Sequence, residues 1–350
     1  MELVKSNSKE NLIVVASPFQ LISALEAIYH FRDKERNGKE NYHVLVFLSK
    51  HDNTNKLMLS LIEQFTLGIL CEFSYIRYTN EFSFLWRKLK FISKNRKIGY
   101  NKLMVGHLDE FSIKLLICNL KFAKLFSLDD GAATLTINNR IKEYDFYLTC
   151  FNSLRSVNNF IKYIMVKVFS LQKSRNVVVN WFTVFDFIPN NNGEVYTHQF
   201  QFLRRNFNSD RIGNHGTLFI GANLVNAGVV KSLDKYKELL INIFKQVEGI
   251  IYYVPHRYED ISLLDDVFSL FDVQVVKGIG MIEIFLLQQD LYPSRIISFY
   301  STALYTLSKL FPTCEVLFVE IPTPVLNKSF VNKVRVVEKY YSERFQVLNV

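Results

Sequence analysis

The chain has 350 residues, of which 49% are hydrophobic and 21% charged. It is too apolar for disorder and longer than one hydrophobic core usually serves, so two domains of roughly 150 residues are expected. Lys and Arg outnumber Asp and Glu by 42 to 33, a formal charge of +9 that favours an anionic partner: nucleic acid, acidic lipid headgroups or a charged small substrate.

The first apolar segment, NLIVVASPFQLISALEAIYHF (11–31), reads as strand, Ser-Pro break and helix. HVLVFLSK (43–50) follows as a buried strand, NKLMLSLIEQF (55–65) as a helix, and CEFSYIRY (71–78) and KLMVGHL (102–108) as strands. LFSLDDGAAT (125–134) is an apolar run that ends on Asp129, Asp130 and Gly131. Strands alternating with helices imply a mostly parallel sheet covered on both faces.

Between about 135 and 212 the pattern loosens, with Asn-rich punctuation in NVVVNWF and IPNNNGE that suits a connection between domains. A second alternating series then runs from TLFIGANL (217–224) through GIIYYVPH (249–256) and RIISFYS (295–301) to EVLFVEI (315–321), with helical patterns between the strands. The expected fold is α/β and GT-B-like: two facing Rossmann-like domains with a cleft between them. The expected bounds are 1–200 for the N-terminal domain, 201–330 for the C-terminal domain, and 331–350 for a closing helix that packs back on the N-terminal domain.

No run of about 18 apolar residues occurs, and MELVKSNSKEN lacks the apolar stretch of a signal peptide, so a soluble or peripheral cytoplasmic protein is expected. Basic and aromatic residues mix at 75–100 and 160–175, which fits a helix at a membrane interface and equally an amphipathic core helix with a basic outer face. Cys71, Cys118, Cys150 and Cys314 are scattered and read as core thiols, with neither disulfide framework nor zinc site expected.

In open parallel sheets ligands bind beyond the C-terminal ends of strands, so the residues just after each strand are the candidates. Asp-Gly is a strong turn signal, and a simple turn accounts for Asp129-Asp130-Gly131; a carboxylate there also suits a general base. His256 ends a second-half strand, either as a solvent-facing polar residue or as a donor to a phosphate. Ser301 and Thr302 are natural helix N-caps, a place that also cradles phosphate, and Glu283 reads either as a first-turn acid or as an acceptor for ribose hydroxyls. The Gly278-x-Gly280 pair lacks a third glycine, Asp265-Asp266 sits in a helical pattern, and His107, His198 and His215 are given no role.

Together these marks resemble the bacterial sialyltransferases, in which Asp-Asp-Gly precedes His-Pro, with a glutamate and a Ser/Thr pair following the histidine by about 27 and 45 residues. Glu283 follows His256 by 27 residues here, and Ser301 follows it by 45. The opening SPFQL also looks like the first turn of the lipooligosaccharide and capsule sialyltransferase group, glycosyltransferase family 52-like. One departure is that Pro255 precedes the histidine instead of following it, with Arg257 after it.

The resemblance implies an inverting, metal-independent enzyme that moves sialic acid from CMP-sialic acid to a galactose-terminated glycan of lipooligosaccharide or capsule, with no cofactor. It implies Asp130 as base with Asp129 in support, and His256, Ser301 and Thr302 on the CMP phosphate beside Pro255 and Arg257. Glu283 would hold the ribose, Gly221 and Asn223 would lie by the donor, and Ser17, Pro18 and Gln20 would border the acceptor. Peripheral contact with the inner face of the cytoplasmic membrane through the basic-aromatic stretches goes with that reading, and nucleic acid does not. The alternatives are a polysialyltransferase, another GT-B enzyme with a different activated sugar, or a non-enzymatic nucleic-acid or membrane-binding protein.

Overall fold

The structure, a computed structural model, describes residues 10–34, 40–66, 71–131, 133–141, 146–151, 157–188, 192–207, 215–256, 258–276, 280–289 and 292–350. It divides into two units, Met1–Phe202 and Leu203–Val350.

In the first unit β1 (Glu10–Val15), α1 (Pro18–Lys34), β2 (Asn41–Leu48), α2 (Asp52–Thr66), β3 (Glu72–Arg77), α3 (Glu81–Asn95), β4 (Gly99–Val105), α4 (Phe111–Asn119) and β5 (Lys121–Leu128) alternate. The chain continues through α5 (Ala133–Ile141), β6 (Phe146–Thr149), α6 (Val157–Val168), β7 (Ser174–Val177), β8 (Val179–Thr183), β9 (Val195–Thr197) and α7 (Gln201–Phe207). Seven strands form one parallel sheet in the order β3-β2-β1-β4-β5-β8-β9, while β6 and β7 pair as a separate antiparallel ribbon. The apolar runs of β1, β2 and β4 are buried along most of their length, as strands covered on both faces must be.

Of the two Asn-rich stretches, NVVVNWF (176–182) builds strands of this unit, and residues 189–191 of IPNNNGE lie outside the described residues. Every residue of β8 is buried, and Trp181 is wholly enclosed in the core. Asn180 accounts for the loosened pattern there: a polar residue interrupts the apolar run, but its Nδ2 donates to the Leu125 carbonyl at 2.9 Å and its Oδ1 accepts from Glu194 N at 2.9 Å. The asparagine ties strands together instead of ending one.

The second unit holds β10 (His215–Ile220), α8 (Leu233–Phe244), β11 (Ile251–Val254), a 3₁₀ turn at Ile261–Leu264 leading into α9 (Asp265–Phe268), and β12 (Val273–Val275). It then holds α10 (Ile282–Gln288), β13 (Pro293–Ser298), α11 (Thr302–Leu310), β14 (Glu315–Val319), α12 (Val331–Ser342) and β15 (Gln346–Leu348). All six strands are parallel, in the order β12-β11-β10-β13-β14-β15. Residues 331–350, expected as one closing helix, are a helix and then an edge strand. α12 belongs to this unit's own core through Val334, and the buried Glu338 accepts the Ile321 N–H at 2.9 Å.

In both sheets the first strand of the unit has its successors on one side and its fourth strand on the other. The crevice that this reversal opens lies after β1 and β4 in the first unit and after β10 and β13 in the second.

Candidate active site

At the end of β1 the chain turns at once into α1. Ser17 caps the helix, its Oγ accepting the Gln20 N–H at 3.2 Å, and Pro18 takes the first helical position, where a missing N–H costs nothing. The buried Gln20 side chain folds back in the manner of a capping box: Oε1 accepts the Ala16 N–H at 2.8 Å. Its Nε2 then donates to Asp130 Oδ1 at 2.6 Å. This reach depends on Gly106 at the end of β4, because a Cβ there would stand 2.2 Å from Gln20 Cδ.

His107 follows that glycine with φ of 50°, in the left-handed region that costs a non-glycine residue energy. Its Nδ1 lies 3.4 Å from Asp130 Oδ2, and its side chain is 51% exposed where that of Asp130 is 20%. Asp130 therefore has one oxygen held by an amide and the other facing an imidazole. Burial pushes its carboxyl above the usual carboxylate range, the Gln20 hydrogen bond and His107 oppose that rise, and Asp129 adds to it.

Asp129 points the other way. It is fully buried, accepting from Thr183 Oγ1 at 2.5 Å and from Val184 N at 2.7 Å, while Ser23 Oγ of α1 accepts its own N–H at 3.3 Å. His198 Nε2 lies 3.4 Å from Asp129 Oδ2, an electrostatic contact and not an aligned hydrogen bond, with the ring stacked on Phe182. Gly131, at φ of 69°, supplies the left-handed residue that turns the chain away just after the two acids. Ser17, Pro18, Gln20, Asp129 and Asp130 are thus one cluster, and His107, given no role from sequence, is part of it.

In the second unit the residues after β10 and β11 converge on Glu259, a residue sequence reasoning passed over. Its Oε1 accepts from Tyr236 and Tyr253 hydroxyls, both at 2.8 Å, and its Oε2 accepts the His256 N–H at 3.1 Å. Gly221 makes room for it, since a Cβ there would lie 2.4 Å from Glu259 Oε2 and 2.7 Å from the Tyr253 hydroxyl. Burial raises the Glu259 carboxyl, against the hydrogen bonds from Tyr253, Tyr236 and His256. The turn after Pro255 is therefore fixed by a carboxylate beneath it. His256 Nδ1 accepts the Tyr258 N–H at 3.3 Å, which leaves the proton of the neutral ring on Nε2.

Ser301 caps α11, its Oγ accepting the Ala303 N–H at 3.3 Å, and its carbonyl accepts from the Tyr341 hydroxyl at 2.9 Å. Thr302 opens the helix beside it, so hydroxyls and first-turn amides gather after β13. Glu283 is buried in the first turn of α10 and accepts from Thr306 Oγ1 of α11, so its carboxylate joins two helices. Asn223 Oδ1 is buried without a hydrogen-bond partner among the described residues. Arg257 and Gly278 lie outside the described residues. Among the described residues no three His, Cys, Asp or Glu side chains gather as metal ligands.

No protein-family model matches the chain, and no curated protein matches it in sequence. Among solved structures, UDP-GlcNAc 2-epimerase from Methanocaldococcus jannaschii is similar at TM-score 0.50 and 13% identity, over 97% of this chain and 88% of that one. UDP-N-acetylglucosamine 2-epimerase from Rickettsia bellii (TM-score 0.49, 11% identity, 95% and 88% covered) and sialyltransferase from Photobacterium damsela (0.44, 11%, 98% and 81%) are more distant. The first likeness is one of fold: two parallel-sheet Rossmann-like units in one chain, the GT-B architecture.

Proposed function

We propose that the chain is an inverting, metal-independent glycosyltransferase that moves sialic acid from CMP-sialic acid to a hydroxyl of a galactose-terminated glycan. The observation that carries this reading is Asp130, a partly exposed carboxylate at the crevice of the first sheet, fixed by Gln20 and faced by His107. Such a group takes a proton from a hydroxyl as the new bond forms. The anomeric carbon gains the acceptor oxygen, its bond to the CMP phosphate breaks, and CMP leaves with that electron pair. A single displacement inverts the centre.

The second unit is assigned the donor. The Nε2–H of His256, the hydroxyls of Ser301 and Thr302 and the first-turn amides of α11 are the donors that a departing phosphate needs, and positioned donors supply the charge stabilisation a metal would otherwise give. Glu259 keeps the His256 turn in place. Asn223 and Glu283 are assigned to the nucleoside side, and Asp129 is assigned the support of Asp130.

The exposure of His107 supports a second reading of the proton transfer. Asp130 then orients the imidazole through Nδ1, and Nε2 of His107 takes the proton.

The test is incubation with CMP-sialic acid or UDP-N-acetylglucosamine and a panel of galactosides, with CMP or UDP release and product mass measured. Transfer of sialic acid to a galactoside is expected. Turnover of the UDP-sugar alone would replace this function with another GT-B activity.

A further inference from the structure

α6 carries apolar residues on two sides, and only one of these is packed. Met165 and Val166 enter the core of the first unit, while Phe160, Ile161, Ile164 and Val168 form a stripe on the outer side, each at least 46% exposed. A contiguous exposed apolar stripe on a helix whose other apolar side is already packed marks a surface that something else covers.

The stripe continues onto α3. Trp86 packs edge-on against Phe169, just past the end of α6, with ring centroids 4.7 Å apart, and Phe82 stacks one turn away on Trp86. Beside these rings α3 turns Arg87, Lys90 and Lys94 outward, and the chain adds exposed Arg96 and Lys97. The one acid of α3 is Glu81 in its first turn, and α6 has none. Lys167 and Lys173 lie over the Tyr163 ring, at 5.1 and 4.5 Å from its centroid.

We infer that the outer face of α3 and α6 docks onto the surface of an anionic lipid bilayer. The aliphatic and aromatic side chains enter the boundary between headgroups and acyl chains, and the lysines and arginines meet the phosphates. A second copy of the chain fits this face poorly, because a two-fold contact would set five or more like charges against themselves. Nucleic acid could stack on the exposed Phe82, Trp86 and Phe160 rings but would leave the aliphatic Ile161, Ile164 and Val168 uncovered, which the lipid boundary does not. The inference does not depend on the proposed reaction.

The test is co-sedimentation of the full chain with vesicles of phosphatidylcholine alone or mixed with phosphatidylglycerol, at low and high salt. Binding to the anionic vesicles is expected, weakened by salt and by roughly fivefold for each lysine removed in Lys90→Gln and Lys94→Gln. The pair Phe160→Ser and Ile164→Ser should lower it by about tenfold or more. All four positions are on the surface, and unchanged thermal melts verify that the variants fold. Equal binding to neutral and anionic vesicles, or undiminished binding of both variant pairs, overturns the inference. So does a dimer in light scattering that Phe160→Ser and Ile164→Ser dissolve. Vesicle binding is read without any sugar transfer, so the docking face and the proposed reaction fail separately.

Discussion

After β4 and β5 the side chains that follow the strands are titratable and partly open, His107 and Asp130 foremost. After β10 and β11 the carboxylate, Glu259, instead accepts from the hydroxyls of Tyr236 and Tyr253 and from the His256 N–H, and what is presented is the turn it holds. One parallel topology therefore supports two kinds of crevice, one whose acid is held by an amide and faced by an imidazole and one whose acid is held by hydroxyls and a backbone N–H. The difference lies in which way an acid points. Gln20 draws Asp130 forward, whereas the tyrosines draw Glu259 back.

The sharpest way to break that contrast is to neutralise the forward acid. Asp130→Asn should lower transfer about 10²- to 10⁴-fold, the range for a general base, while CMP still protects the protein against heating. His107→Gln then divides the two readings of the proton transfer. A loss as large as that of Asp130→Asn assigns the proton to the imidazole, and a loss below about tenfold leaves it with the carboxylate. Transfer undiminished in both variants would remove this crevice from the reaction.

The two glycines make a matched pair. At Gly106 a new Cβ meets the buried end of Gln20, whose displacement breaks its bonds to Ala16 N and Asp130, so Gly106→Ala should cut activity and lower the melting temperature together. At Gly221 it meets Glu259 and the Tyr253 hydroxyl, which are pinned by hydrogen bonds, so Gly221→Ala should destabilise by about 1–3 kcal/mol, as overpacking does, and weaken CMP protection. Thermal melts with and without CMP, set beside transfer rates, check both. Undiminished transfer in Gly106→Ala, or unchanged CMP protection in Gly221→Ala, would break the distinction between the acid that Gln20 holds and the one that the tyrosines hold.

The smallest effect concerns Glu283. Burial raises its carboxyl, against the Thr306 hydrogen bond and the helix backbone. For an acid whose folded pKa is raised, stability is fully present below the unfolded value, about 4.5, and is lost as pH rises through the folded value. Glu283→Gln keeps an acceptor for Thr306, so it should melt higher than the parent at neutral pH and converge with it towards pH 4. Parallel melting curves across that range would show that the carboxyl carries no such load.

Most of the fold was legible because most buried strands are apolar runs and several helix starts carry their own punctuation, as at Ser17-Pro18 and Ser301. The acids of Asp129-Asp130-Gly131 were legible as a pair, but their division of labour was not, because it is set by partners far along the chain: Gln20 for one, Thr183 and Val184 for the other. His107 was illegible for a related reason. A lone histidine after a glycine has meaning only once β4 and β5 lie side by side and the backbone at 107 turns left-handed. Glu259 was hidden because its tyrosines come from α8 and β11, on either side of a break in the pattern.

Thr183 and Val184 hold Asp129 across 54 and 55 residues of chain. The shape of the acidic turn is therefore completed long after the turn itself has been made. During synthesis the ribosome must deliver β8 and let it pair with β5 before Asp129 has its anchors, a non-local closure of the slow kind. A chain halted before residue 183 has both acids and the strand that leads to them, but not the anchors that turn one inward and leave the other facing out.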